Sequence, residues 1–254
     1  MFLKFLKFID KLILFNLLGK INFRMKRFFV YKSTSNNNDF KNTSFLNNNK
    51  ILLSELSEKY GSDKGYTNLN NQRPFLWKPH SYTNLYNSLF GHCRDQIKLV
   101  FECGIGSNKS IYKSNMTSSG KPGASLKMWR DFFPNARIYG ADIDKDILFN
   151  DDRISTFYVD QLNSDSIKEM WKKINLNNFD IIIDDGMHTF ESSRNFFVNS
   201  FEMLKEGGIY IIEDVDYKDF KNYSKEFSNF NLEQVMLHDK NSQRHTNNLC
   251  IVRK

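Results

Sequence analysis

From residue 51 onward, hydrophobic positions alternate between the spacing of amphipathic helices and short apolar runs rich in strand-forming residues. The strand, helix, strand order through residues 97–215 predicts crossover connections and hence a parallel sheet. Two strands around the polar turn 240–246 predict an antiparallel strand at one edge. We predict helices over residues 51–61, 81–90, 125–133, 164–174 and 192–208, and strands over 97–103, 136–143, 153–160, 179–186, 209–215, 233–239 and 247–254.

Two of these runs, 181–183 and 209–212, are apolar at every position. Strands of this kind are typical of sheets that are covered on both faces. The pattern therefore predicts an α/β fold in which helices pack on both sides of the sheet.

The first 31 residues form a separate region in which Phe, Leu and Ile alternate with Lys and Arg. Lys4, Lys7 and Lys11 would share one face of a helix. Two interpretations stay open: an amphipathic helix on an anionic membrane surface, or a helix that packs on the body or on a partner. Residues 32–50 are polar and rich in Asn, which predicts a linker, and residues 51–254 then form the globular body.

The net charge of +7 belongs to this N-terminal region, because residues 1–30 hold seven basic residues against one acidic residue. The body is close to neutral, which argues against a nucleic-acid partner. No stretch approaches 18 uncharged apolar residues, so no membrane-spanning helix is predicted. Three cysteines without pairing or metal-ligand spacing are typical of a reducing compartment, so we expect a cytoplasmic protein.

Glycines and polar side chains follow the ends of the predicted strands, where ligands bind in parallel sheets. The first strand ends in Gly104 and Gly106, but Lys109 stands where a dinucleotide fingerprint needs a third glycine. Asp142 ends the second strand, and Asp160 and Gln161 follow the third. Each could be a turn or capping residue, but on successive strands together they favour a site that binds a ribose and a base.

Carboxylates also end the next two strands, at Asp185 and at Glu213 and Asp214. Several carboxylates at neighbouring strand ends repel one another, so either some are protonated or a cation neutralises them. Oxygen ligands suit Mg²⁺, and we favour this interpretation over helix capping. His188 is either a polar residue at a helix start or a general base beside the metal.

Taken together, these segments resemble the class I S-adenosylmethionine (SAM) methyltransferases, and in particular the macrocin and mycinamicin type of sugar O-methyltransferases. Related sequences occur among bacterial polysaccharide-modifying enzymes. The resemblance covers about residues 55–215. It is carried by residues 59–65 (KYGSDKG), 101–106 (FECGIG), 125–136 (SLKMWRDFFPNA), the strand ending at Asp142, 160–161 (DQ), 185–188 (DGMH) and 207–214 (GGIYIIED).

This resemblance implies a Rossmann-like sheet of seven strands, the last antiparallel, in a methyltransferase domain over residues 51–254, preceded by a helical extension. It implies Mg²⁺ at Asp185, Glu213 and Asp214, and His188 as the base. The loop 107–124 is long and polar and departs from the family pattern, so covering the active site is one option for it. The residues implied to bind SAM are Glu102, Gly104, Gly106, Ser125, Asp142, Asp160 and Gln161.

The resulting hypothesis is a Mg²⁺-dependent methyltransferase that acts on a sugar hydroxyl of a bacterial glycan, of the capsule or lipopolysaccharide type, or of a sugar precursor. Two alternatives stay open, a nucleic-acid methyltransferase and a non-catalytic protein that keeps the fold. The expected partner is a carbohydrate acceptor, with no nucleic acid, and with membrane contact through residues 1–30 as one option.

Overall fold

The structure is a computed structural model that describes residues 40–43, 51–68, 70–237 and 247–254. The predicted N-terminal helical segment and most of the predicted linker lie outside the described residues. Within the linker, residues 40–43 form a short strand. The boundaries proposed for these regions therefore stay predictions.

The described strands form one mixed sheet in the order β1-β8-β9-β7-β6-β2-β3-β5-β4. Their bounds in chain order are β1 Phe40–Thr43, β2 Leu99–Cys103, β3 Arg137–Asp142, β4 Asn150–Asp151, β5 Ile154–Tyr158, β6 Phe179–Asp184, β7 Leu204–Ile212, β8 Asn231–Leu237 and β9 Asn248–Arg253.

The seven predicted strands are all present, and β1 and β4 are short additions at the two edges. Strands β2, β3, β5, β6 and β7 pair in parallel, which confirms the parallel sheet. The last strand is antiparallel as expected, but its predicted place at an edge is wrong. β9 lies between β7 and β8 and pairs antiparallel with both, because its buried apolar residues find partners on either side.

The described helices are α1 Leu52–Tyr60, α2 Tyr82–Phe90, α3 Ala124–Phe132, α4 Ser164–Ile174, α5 Phe190–Ser200 and α6 Phe220–Glu226. The helix predicted over residues 192–208 is too long at its C-terminal end. It ends at Ser200, and residues 204–208 already belong to β7, because Leu204 pairs with Phe179 and the pairing shifts register only afterwards. Helix α6 has no counterpart among the predicted helices.

Helices cover both faces of the sheet, as predicted. On one face, Val100 and Ile138 pack in a core with Leu53 of α1, Tyr86 of α2 and Trp129 of α3. On the opposite face, the neighbouring side chain Phe101 stacks against Trp171 of α4 and Phe196 of α5. Adjacent residues of one strand thus serve two different helix layers.

The parallel register brings the carboxyl ends of four strands to one edge. Cys103 pairs with Ala141 on one side and with Asp184 on the other, and Asp184 pairs with Ile212. The loops that follow these residues therefore meet at a single place. In the part of the chain that the structure describes, no helix is both long and apolar enough to cross a bilayer.

Candidate active site

A cavity of about 670 Å³ opens at this edge of the sheet. This volume is within the range of small-molecule sites. The loops after β2, β3, β5, β6 and β7 line it, together with residues 62–64, Trp77, His80 and residues 111–116. Glycine turns, carboxylates and a histidine from distant parts of the sequence therefore share one cavity.

The glycine loop after β2 lines the cavity. Gly104 and Gly106 have φ angles of 85° and 89°, a left-handed conformation that strains other residues. A Cβ atom on Gly104 would also lie 2.1 Å from the carbonyl oxygen of Asp185. Glycine is thus needed at position 104 both for backbone conformation and for the close approach of the loop after β6.

Asp142 lines the cavity and also holds the glycine loop in place. Its carboxylate oxygens accept hydrogen bonds from the N–H groups of Ile105 and Asp144, each at 2.9 Å. Burial raises the pKa of this carboxyl, and the backbone hydrogen bonds oppose that rise. The predicted ribose contact and a loop-supporting role are therefore compatible.

Asp160 and Gln161 reach the same wall of the cavity, but they differ in how their side chains are used. Gln161 donates from Nε2 to Asp184 at 2.6 Å and accepts from the N–H of Met187 at 2.7 Å. Its amide therefore holds the loop after β6. Asp160 accepts one hydrogen bond, from the N–H of Leu162, and is the more accessible of the two.

Two residues that the resemblance implies at the cofactor lie at different depths. Ser125 lines the cavity at the start of α3, whereas Glu102 is fully buried behind it. Ser125 Oγ donates to Glu102 at 2.6 Å. Glu102 thus supports Ser125 from inside the protein.

A buried lysine, for which no role was predicted, lies among the carboxylates. Lys64 Nζ lies 2.6 Å from Glu213 Oε2, 2.7 Å from Asp185 Oδ2 and 3.1 Å from Glu102 Oε1. Burial disfavours its charged form, but these carboxylates raise its pKa well above the usual value, so it is an ammonium ion. Its place in the KYGSDKG motif is the sequence feature that could have indicated a role for Lys64.

Asp185, His188 and Asp214 form a second cluster on the cavity side of this lysine. Each residue offers one ligand atom, and these atoms all lie within 4.8 Å of one another. His188 Nε2 is 3.2 Å from Asp185 Oδ1, and its Nδ1 is 3.7 Å from Asp214 Oδ2. Tyr82 donates to the other oxygen of Asp214 at 2.5 Å.

Glu213 lines the cavity but stands apart from this cluster. One of its oxygens accepts from Lys64 and the other from Tyr86, and its side chain is almost fully buried. Burial raises its pKa well above the usual value, and Lys64 opposes that rise. Two of the three predicted metal ligands thus converge, and the third lies deeper.

His188 has a left-handed backbone conformation, with φ at 57°, which turns its ring back toward the strand ends. Burial lowers its pKa, but the hydrogen bond with Asp185 and the charges of Asp214 and Asp185 outweigh this and raise the pKa to about 10. The helix cap at α5 is made by Thr189 and Ser192. His188 is therefore free of the capping role that the sequence left open.

The donor set fits a magnesium ion. Carboxylate oxygens are the ligands that Mg²⁺ prefers, and Asp185 and Asp214 present them to solvent-accessible space. The neighbouring carboxylates Glu213 and Glu102 add negative charge to the same region, which Lys64 only partly neutralises.

The predicted covering loop, residues 107–124, forms one wall of the cavity. Ser114 Oγ donates to the carbonyl of Met187 at 3.0 Å, and Met116 packs against Gly106. The side chain of Ile111 is largely exposed although it lines the opening. The loop thus joins the glycine turn to the segment that carries His188.

Several known proteins are similar to this chain in sequence and in architecture. The mycinamicin VI 2''-O-methyltransferase of Micromonospora griseorubida is 34% identical over 163 residues, which are 64% of this chain and 36% of that protein. A tetracenomycin rhamnosyl 3'-O-methyltransferase of Streptomyces olivaceus is 32% identical over 163 residues, with the same coverage. The chain spans about a third of the length of these curated relatives. No protein-family profile matches it.

Among solved structures, the MycE methyltransferase of the mycinamycin pathway, in complex with Mg, SAH and mycinamycin VI, superposes with a TM-score of 0.57. The two chains are 28% identical, and the match covers 80% of this chain and 54% of MycE. The fold is therefore that of the class I SAM-dependent methyltransferases, and the resemblance to the macrocin and mycinamicin type of sugar O-methyltransferases is confirmed.

Proposed function

We propose that this protein is a Mg²⁺-dependent O-methyltransferase that transfers the methyl group of SAM to a sugar hydroxyl. The observation that carries the proposal is the shared cavity. The glycine loop at Gly104 and Gly106 and the cluster of Asp185, His188 and Asp214 line the same space of about 670 Å³. The similarity to sugar O-methyltransferases supports the same activity.

In this proposal, the loop at Gly104 and Gly106 admits the cofactor, and Asp142 and Asp160 hydrogen-bond its nucleoside. Ser125 contacts it from the start of α3. Gln161 acts through the backbone of Met187, which it holds. The positively charged sulfur of SAM would face the negative strand ends.

The acceptor would lie on the other side of the cavity. Asp185 and Asp214 would hold Mg²⁺ with Glu213 behind them, and the ion, when bound, would lower the pKa of an acceptor hydroxyl. His188 would accept the proton of that hydroxyl as the methyl group passes from SAM to the hydroxyl oxygen. The products are a methyl ether, S-adenosylhomocysteine and a protonated His188, so protons and charge balance.

The acceptor is proposed to be a sugar of a bacterial glycan, or a sugar precursor of one. The methyltransferases similar to this chain act on sugars of antibiotic glycosides, which supports a sugar hydroxyl as the acceptor. The similarity does not identify the molecule that carries the sugar. A cytoplasmic enzyme with a basic amphipathic segment at residues 1–30 would meet lipid-linked precursors at the inner membrane.

The test is transfer of a labelled methyl group from SAM to extracted cell-envelope glycans and to antibiotic glycosides, followed by mass spectrometry of the labelled product. We expect transfer with Mg²⁺ and none in EDTA. His188→Ala should lower turnover roughly 10²–10⁴-fold while SAM binding is retained. His92→Ala, which changes an exposed histidine outside the cavity, is the matched control.

Full activity in EDTA would remove the metal from the mechanism. Near-normal turnover of His188→Ala would return that residue to a structural role. Labelling of nucleic acid instead of glycans would favour the alternative substrate class.

A further inference from the structure

We propose that Lys64 is a positioning residue: a resident counter-ion that holds Asp185 and Glu213 in place whether or not a divalent cation is bound. The proposal rests on the proposed function in taking these carboxylates as part of the metal site. The identity of the methyl acceptor does not enter it.

Lys64 contacts three carboxylates. Its side chain is 2% exposed, and its ammonium group donates hydrogen bonds to Asp185 and Glu213 and forms an ion pair with Glu102 at 3.1 Å. These carboxylates belong to three adjacent strands, β2, β6 and β7, or to the residues just after them. One side chain therefore connects the strand ends that form the proposed metal site.

Contacts of the loop after α1 hold the backbone of Lys64 in place. Helix α1 ends at Gly61 in a left-handed C-cap, which turns the chain toward the sheet. The carbonyl of Lys64 then accepts a hydrogen bond from the N–H of Thr83 at 3.1 Å. A Cβ atom on Gly65 would lie 2.0 Å from Thr83 Oγ1, so the loop is in close contact with α2.

Lysine and a metal ion would use different oxygens of the same carboxylate. Lys64 contacts Oδ2 of Asp185, whereas Oδ1 of Asp185 faces His188 on the cavity side. Both oxygens of Glu213 are engaged inside the protein, one by Lys64 and the other by Tyr86. The ammonium thus approaches the site from the protein interior and leaves the cavity side of Asp185 open.

Without Lys64, the buried carboxylates would face one another with no resident positive charge between them. Such groups repel strongly at low dielectric, and a cation from solvent would then be needed to keep them together. A variant that lacks the lysine should therefore depend on Mg²⁺ for stability far more than the natural protein does.

The experiment measures the unfolding temperature of the full chain in EDTA and in saturating Mg²⁺, with Mg²⁺ binding measured by calorimetry. We expect Lys64→Met to lower the Tm by roughly 10 °C in EDTA. Mg²⁺ should recover a large part of that loss and should raise the Tm of the natural protein much less.

Lys205→Met is the matched control. Lys205 pairs with the buried Asp180 at the opposite end of β6. The Lys205→Met substitution should lower the Tm by the same amount with and without Mg²⁺, because this pair is remote from the metal site. If Lys64→Met does not fold, the double variant Lys64→Met with Glu102→Gln removes one charge of each sign. It should still gain more from Mg²⁺ than the natural protein.

A Lys64→Met protein as stable in EDTA as the natural protein overturns the proposal, and so does a loss that Mg²⁺ does not reduce although calorimetry shows Mg²⁺ bound. If Mg²⁺ binds neither protein, the metal site of the proposed function fails, and with it the positioning role of Lys64. Calorimetry on the natural protein separates these cases.

Discussion

At the scale of single residues, the polar side chains at the strand ends each hold backbone as well as facing the cavity. Asp142 binds the glycine loop, Gln161 binds the segment after β6, and Tyr82 fixes Asp214. Residue types at strand ends were enough to predict that these side chains share one cavity. They did not show which atoms were already engaged, because those partners come from distant positions in the chain.

Asp142→Ala should weaken SAM binding by about 1–3 kcal/mol, since it removes a charged acceptor for the ribose and loosens the glycine loop. Calorimetry with SAM measures this directly. Asp152→Ala, an exposed change after β4, should have no effect. Equal affinity in the natural protein and Asp142→Ala would mean that Asp142 serves only the loop.

The imidazole of His188 should titrate with a pKa of about 10 when the protein is in EDTA, because Asp185 and Asp214 favour its charged form. This pKa lies above the pKa of the same ring in the unfolded chain. The charged ring therefore stabilises the fold below pH 6.5, and this stabilisation is lost as the pH rises toward 10. Mg²⁺ on the same carboxylates should lower the pKa toward neutrality. NMR of the ring, assigned with His188→Ala, checks both values; a pKa near 6.5 in EDTA would contradict the geometry.

At the scale of elements, helix α1 is tied to α3 by a cluster around Asp131. Tyr60 donates to its carboxylate at 2.5 Å, and Lys59 and Arg130 lie within 3.1 Å. Burial opposes ionisation, but these three partners lower the pKa of Asp131 to about 2. The loop that carries Lys64 starts at the end of α1, so this cluster also positions the site.

Asp131→Asn should lower the free energy of unfolding by about 1 kcal/mol near neutral pH, a value reduced for the partial exposure of the cluster. Because the folded pKa lies below the unfolded one, the difference from the natural protein should persist above pH 4 and shrink as the pH falls toward 2. Urea unfolding across this range measures it. Asp95→Asn, at an exposed carboxylate outside this cluster, is the matched control.

Local sequence patterns predicted the elements well and their assembly less well. Helix α4 matches its predicted bounds, because its apolar spacing and its cap at Asn163 are local features. The residues 204–208 were assigned to a helix since Gly207 and Gly208 look like a helix end, whereas pairing with β6 draws them into β7. The position of β9 depends on pairing with β7 about 40 residues earlier, and Lys64 contacts Glu213, which lies more than a hundred residues away. No local pattern records such contacts.

At the scale of the whole molecule, the described residues that line the cavity run from Ser62 to Asp214. Deleting residues 1–30 should leave SAM affinity unchanged and reduce sedimentation with anionic vesicles, because the basic residues would be gone. Loss of folding in this variant would show instead that the segment packs on the body.

The insertion of β9 between β7 and β8 affects how the chain is made. A ribosome releases β7 and β8 before β9, so the apolar edge at Ile209–Ile212 stays unpaired until Asn248–Arg253 have emerged. An exposed strand edge of this kind invites pairing with other nascent chains. Translation that stalls before residue 248 should therefore yield aggregates, because this edge of β7 then has no partner strand.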